Sequence, residues 1–153
     1  MEDNSQAKPI KRHLSLQSLS RDHQEGLMIC WKIKKGIEEN VPCEKMEKHV
    51  NWFFETKLFP HFQIEEKVVF VVLGSENELV KKALDEHEEL VRLFRIEGKD
   101  VPTLQKISDD LESHIRFEER VLFNEIQSIA TPEQLQQIEA SHNNPSSVEK
   151  KNG

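Results

Sequence analysis

The sequence predicts an all-α protein, an up-down-up-down four-helix bundle with a short C-terminal fifth helix. Three observations carry that expectation. Apolar residues recur at steps of three and four along four stretches, the pattern of a helix with one buried face. Short segments containing Pro, Gly, Asn or Ser separate the stretches, and short connections favour antiparallel neighbours. The decapeptide HFQIEEKVVF at residue 61 recurs in pattern as HIRFEERVLF at residue 114, with His, Glu-Glu, Val and Phe in the same places, so two helices carry the same face.

The elements follow in order. Residues 1–15 are polar without pattern and read as a tail. From Leu16, a stripe runs through Leu19, His23, Leu27, Cys30, Ile33 and Ile37. Asn40-Val41-Pro42 ends it, and Pro42 suits the first turn of the next helix. The second helix, from about Cys43 to Leu73, places Val50, Phe54, Leu58, His61, Glu65, Val68 and Val72 on one face. Pro60 lies inside it and should kink it. The valine-rich KVVFVVL has some strand preference, but the longer helical period decides, and Gly74 stops the helix. Ser75 and Glu78 have capping-box spacing. The third stripe is Val80, Leu84, His87, Val91 and Phe94, closed by Gly98. The fourth follows the loop 99–102 and carries Leu104, Ile107, Leu111, His114, Glu118, Leu122 and Ile126 or Glu125. Thr131-Pro132-Glu133 caps a fifth helix around Leu135 and Ile138. The bundle is expected over 16–140, with a disordered tail over 141–153.

Composition excludes several function classes. The net charge of −7 argues against a nucleic-acid surface. No apolar run is long enough for a membrane span, and the first residues lack the apolar core of a secretory signal. Cys30 and Cys43 form no CxxC pair, so a reduced cytoplasmic setting is expected. With no Tyr in the chain, tyrosyl-radical and tyrosinate chemistry are absent.

Polar residues occupy positions that should be apolar. Each long helix carries a histidine on its buried stripe: His23, His61, His87 and His114. Two of them are followed one turn later, on the same face, by Glu65 and Glu118. Taken singly, a histidine on an apolar stripe is usually a hydrogen-bonded core residue. Four together, with two carboxylates and no Lys or Arg at their level, need a positive charge among them. A metal supplies it. Imidazole and carboxylate without thiolate suit iron, manganese or zinc, six ligands exceed one tetrahedral zinc, and the set divides between two ions, with imidazole richness favouring iron. The ferritin-like Glu-x-x-His pattern occurs only at Glu139–His142, in the expected tail. Glu66 and Glu119 read as outer partners or surface residues.

The segments LSRDHQEGL, HFQIEEKVVF, LDEHEELVRLF and HIRFEERVLF resemble the four helical motifs of the hemerythrin-like, HHE cation-binding family, over roughly residues 14–127. The resemblance implies a non-haem di-iron centre bridged by Glu65 and Glu118. His87 and His114 would then hold one iron, and His23 and His61 the other. Oxygen-carrying members have a further histidine one turn after the third-helix ligand, where this sequence has Val91. The remaining set of four His and two Glu equally resembles that of the iron–sulfur cluster repair proteins, though no cysteine-bearing region precedes the first helix here.

Three functions follow as expectations. The first is a site that binds or senses a small ligand such as oxygen or nitric oxide, with an oxo or hydroxo bridge completing five ligands per iron. The second is redox or iron-handling chemistry of the iron–sulfur repair and nitric-oxide stress type. The third is a bundle that metal merely stabilises. No catalytic acid or base stands out beyond the ligands, and no protein partner is indicated. His49 reads as a rim residue, His13 and His142 as tail residues, and Cys30 as a small core residue. Trp52, Phe53, Phe54, Phe59 and Phe62 read as packing that partly walls the site.

Overall fold

The computed structural model describes residues 11–143. Among the described residues it is a helical bundle without strands: α1 (Leu14–Glu38), α2 (residues 43–72), α3 (Glu78–Phe94), α4 (residues 101–129) and α5 (Pro132–Asn143). No helix among them is long and apolar enough to cross a membrane.

The helix ends follow capping chemistry. His13 caps α1, its Nδ1 accepting the Ser15 N–H at 3.0 Å, so the polar segment expected as tail runs into the helix and Ser15 is buried. Asn40 turns the chain with φ 60°, a left-handed conformation that Asn tolerates. α3 is capped by Asn77, whose Oδ1 accepts from Leu79 and Val80 N–H. The expected Ser75 cap lies two residues too early, because the chain is still turning from Gly74 (φ 92°). Gly98 does not terminate α3, which ends at Phe94. It sits in the following loop, where Gly98 and Lys99 donate to the Glu47 carboxylate. Asp100 caps α4 through Thr103 N–H. Thr131 and Gln134 exchange hydrogen bonds at the start of α5, a reciprocal cap. Residues 141–143, expected as disordered, belong to α5, while 1–10 and 144–153 lie outside the described residues.

Two of the long helices are not plain α-helices. α2 widens into π-turns at Phe54–Leu58 and Glu65–Val69, then tightens over Phe70–Val72. α4 widens at Glu118–Leu122. The first π-turn precedes Pro60, which has no N–H to offer the preceding turn. The other two begin at the two glutamates of the repeated decapeptide.

The apolar core is divided in two. One cluster contains Ile29, Ile33, Val50, Phe53, Leu58, Leu90, Phe94, Leu104 and Leu111. The other contains Leu16, Leu19, Ile64, Val69, Val80, Ala83, Leu122, Phe123 and Ile138. On α3 the buried face runs through Ala83, Leu90 and Leu93, so Leu84 and Val91 sit at its margin rather than at its centre. Along each long helix the stripe histidine falls between residues of one cluster and residues of the other. α5 packs across α1 and α2.

Candidate metal centre

All six residues singled out in the sequence meet between the two apolar clusters. His23, His61, Glu65, His87, His114 and Glu118 are each no more than 3 % exposed, and both glutamates are at 0 %. Gly26, one turn beyond His23, lets α1 approach α4: a Cβ there would stand 2.8 Å from the Ile115 Cδ1. That approach brings His23 to Glu118 and Glu119.

The donors form two groups that share both carboxylates. His23, His61, Glu65 and Glu118 make one, and His87, His114, Glu65 and Glu118 the other; within each group the donor atoms lie within 4.8 Å of one another. In the first, His61 Nε2 is 3.0 Å from Glu65 Oε2 and His23 Nε2 is 2.9 Å from Glu118 Oε1. In the second, His87 Nε2 is 2.9 Å from Glu65 Oε1 and His114 Nε2 is 3.2 Å from Glu118 Oε2. Each carboxylate thus turns one oxygen to each histidine pair.

The chemistry of these donors fits a cation. Both Glu65 oxygens, Glu118 Oε2 and the Nε2 atoms of His61, His87 and His114 are buried without a hydrogen-bond partner. Buried polar atoms are nearly always paired, and here the unpaired ones point at one another. Without metal, charge balance falls to protons. Burial alone would lower the His114 pKa, but the Glu118 and Glu86 carboxylates outweigh it and raise it to about 9. The same opposition raises His23, His61 and His87. Burial would raise the Glu118 carboxyl, but His114 and His23 hold it well below the usual range.

Each imidazole is held from behind by a carboxylate on a neighbouring helix. His23 Nδ1 lies 2.6 Å from Glu119, His61 Nδ1 3.0 Å from Asp22, His87 Nδ1 2.7 Å from Glu66, and His114 Nδ1 2.7 Å from Glu86. The supports run α1 to α2, α2 to α3, α3 to α4 and α4 to α1, closing a ring. Donation from Nδ1–H leaves Nε2 free to face inward, the arrangement that orients metal-binding imidazoles. Glu66 and Glu119 are therefore outer partners. Asp22 and Glu86 were not anticipated. Their signal was the acid placed directly before His23 and His87, one position off the buried stripe.

The aromatic residues wall the centre. Phe62 stacks on His87 at 3.8 Å between centroids and Phe123 on His23 at 5.2 Å; Phe70 lies 5.5 Å from His87. The purpose of the repeated decapeptide follows. Each copy supplies an inward imidazole, an inward carboxylate, an outer carboxylate for the next helix's histidine, and a Phe against that same ring.

Residues 14–126 match the hemerythrin HHE cation binding domain. The chain belongs to that family. Among curated proteins and solved structures, no match to the chain is significant. As a hemerythrin HHE domain the protein is a cation binder, and its buried His and Glu groups are arranged for a metal site. Val91, where oxygen-carrying members have a further histidine, packs against the first apolar cluster. Of the histidines set aside, His49 is exposed, but His142 is 2.9 Å from Asp22 and so touches the outer layer of this centre. Cys30 is buried in the core and burial pushes its thiol up to about 12, which leaves it unreactive.

Proposed function

We propose that this hemerythrin-family protein holds two iron ions, one in each donor group, bridged by Glu65 and Glu118 and by an oxo or hydroxo group. We propose further that it binds or senses a small ligand, oxygen or nitric oxide. The observation that carries this reading is the division of both carboxylates between the two histidine pairs. A single ion would need only one of the two groups. The donor set, four imidazoles and two carboxylates without thiolate, favours iron. When bound, iron supplies a reversible one-electron change and a position open to a small ligand.

The chain's own residues do the rest. Asp22, Glu66, Glu86 and Glu119 fix the tautomer and aim of the four imidazoles. Phe62, Phe70 and Phe123 keep bulk water from the rings. The long helices are read as running up-down-up-down, so that ligands from four helices converge at one level. Cys30 and Cys43 are free thiols, which suits a reduced, cytoplasmic setting.

A second reading is redox or iron-handling chemistry of the iron–sulfur repair and nitric-oxide stress type. Val91 favours it, since it offers no donor one turn beyond His87 and the two groups remain equal. Spectra of the reduced, iron-loaded protein, taken anaerobically, then with oxygen, then with nitric oxide, separate the two. An oxygen-dependent spectrum that reverses on degassing supports oxygen binding. A persistent nitric-oxide spectrum supports nitric-oxide binding, whereas irreversible oxidation by oxygen together with a nitric-oxide spectrum that decays as the ferrous iron is oxidised supports the second reading. Uptake of one zinc and no iron from an iron-replete host would sink both.

A further inference from the structure

The four outer carboxylates are chemically alike, but what holds them is not. Asp22, behind His61, is also bonded by His142 Nε2 at 2.9 Å, from the last two turns of α5. Glu119, behind His23, accepts the Ser20 hydroxyl at 2.7 Å. Its backbone carbonyl and Oε1 face Arg12 at 2.8 Å and 3.4 Å. Arg12 is itself fixed by Asn124 and Gln127, at 3.0 Å each. Both supports come from the ends of the described chain, far in sequence from the carboxylates they hold. The other half differs. Glu66 is 43 % exposed, with His87 as its hydrogen-bond partner among the described residues. Glu86, behind His114, is held by Lys82 one turn back on the same helix, a side chain 52 % exposed.

We propose that the two ends of the described segment brace the His23–His61 half of the centre, with His142 and Arg12 as positioning residues. The inference rests on the two-ion reading above. A carboxylate gripped by a second, distant element has fewer orientations open to it, so the imidazole it supports is aimed more firmly. Loss of such an outer partner typically lowers metal affinity about 10–100-fold. α5 packs on both α1 and α2, the helices that supply His23 and His61, so His142 is carried by an element anchored to that half. The His23–His61 ion should therefore leave later than the His87–His114 ion.

The test uses the full chain, loaded anaerobically with ferrous iron and challenged with excess chromogenic chelator. Wild type should release its iron in two phases of equal amplitude. His142→Ala and Arg12→Ala should each quicken the slow phase by a few-fold, short of the about tenfold that losing the outer carboxylate itself would cause, and leave the fast phase unchanged. Glu66→Ala should quicken the fast phase alone. His142→Gln keeps an amide that can donate to Asp22 and should restore the slow phase; a merely structural loss in α5 would not be rescued so selectively. A single phase in wild type, a slow phase unmoved in both alanine variants, or a glutamine variant as fast as alanine would overturn the brace and leave the two-ion reading standing. Failure of wild type to take up two ions would overturn both.

Discussion

Glu65 and Glu118 carry formal charge at positions with no exposed surface, and that fact governs the site residue by residue. A carboxylate buried alone costs several kcal/mol, so each must be met by cations, protonated imidazoles or both. Glu65→Ala or Glu118→Ala removes an oxygen from both donor groups at once. Each variant is expected to lose most of its metal and the thermal stabilisation that metal confers. Glu66→Ala and Glu119→Ala remove only support from behind an imidazole, so they should still fill at saturating iron, with affinity about tenfold weaker. Elemental analysis and melting curves of the four variants decide it; equal metal retention in all four would reject the assignment. The inward residues were legible in the sequence because polar groups on an apolar stripe violate the pattern around them. Asp22 and Glu86 were not, because each sits off the stripe, where acids are ordinary surface residues, and His142 was not, because it fell in the segment expected as tail, whereas α5 continues to Asn143. Only the fold shows that they face a neighbouring helix rather than solvent.

At the scale of the element, the number and order of helices could be read from periodicity, and their ends only in part. Asn77 illustrates the limit: the sequence pointed to a Ser75 cap, but the backbone is still turning out of Gly74 there, and the cap falls two residues later at Asn77. Asn77→Ala should cost about 1 kcal/mol in unfolding free energy, while Ser75→Ala should cost almost nothing; the reverse ranking in denaturant titrations would restore the Ser75 cap. The π-turns at Glu65 and Glu118 were invisible for a different reason. A π-turn adds one residue to a turn, and the side-chain pattern on either side still reads as helix. The repeated sequence was the available hint, and both copies do open the same way, with Phe70 N–H donating to Glu65 and Phe123 N–H to Glu118. Gly26 shows how an element sets the site. Valine at this position would press on Ile115 across the contact between α1 and α4. Gly26→Val should destabilise the fold by about 1–3 kcal/mol and weaken metal uptake by drawing His23 away from Glu118. Unchanged metal affinity in a folded Gly26→Val protein would show that the approach is not needed.

For the whole molecule, the centre is a polar layer between two apolar clusters, and its charge balance ties the stability of the fold to pH and metal together. In the metal-free protein the imidazoles bind protons more tightly than in an unfolded chain. His114, with its pKa raised from 6.5 to about 9, contributes stability that is fully present below about pH 6.5 and is lost as the pH rises through about 9. His23, His61 and His87 are raised as well and act in the same direction. Glu118 is lowered, so its contribution fails only in acid, far from this window. Metal reverses the dependence, since its ligands must be deprotonated imidazoles and uptake releases protons. The melting temperature of chelator-treated protein should therefore fall between about pH 6 and pH 10, and the gain in melting temperature on adding metal should grow over the same range. Taking the difference between loaded and metal-free protein at each pH removes the background from the overall charge of −7. A metal-induced gain that stays level or shrinks from pH 6 to pH 10 would mean that protons on these four histidines do not balance the buried carboxylates.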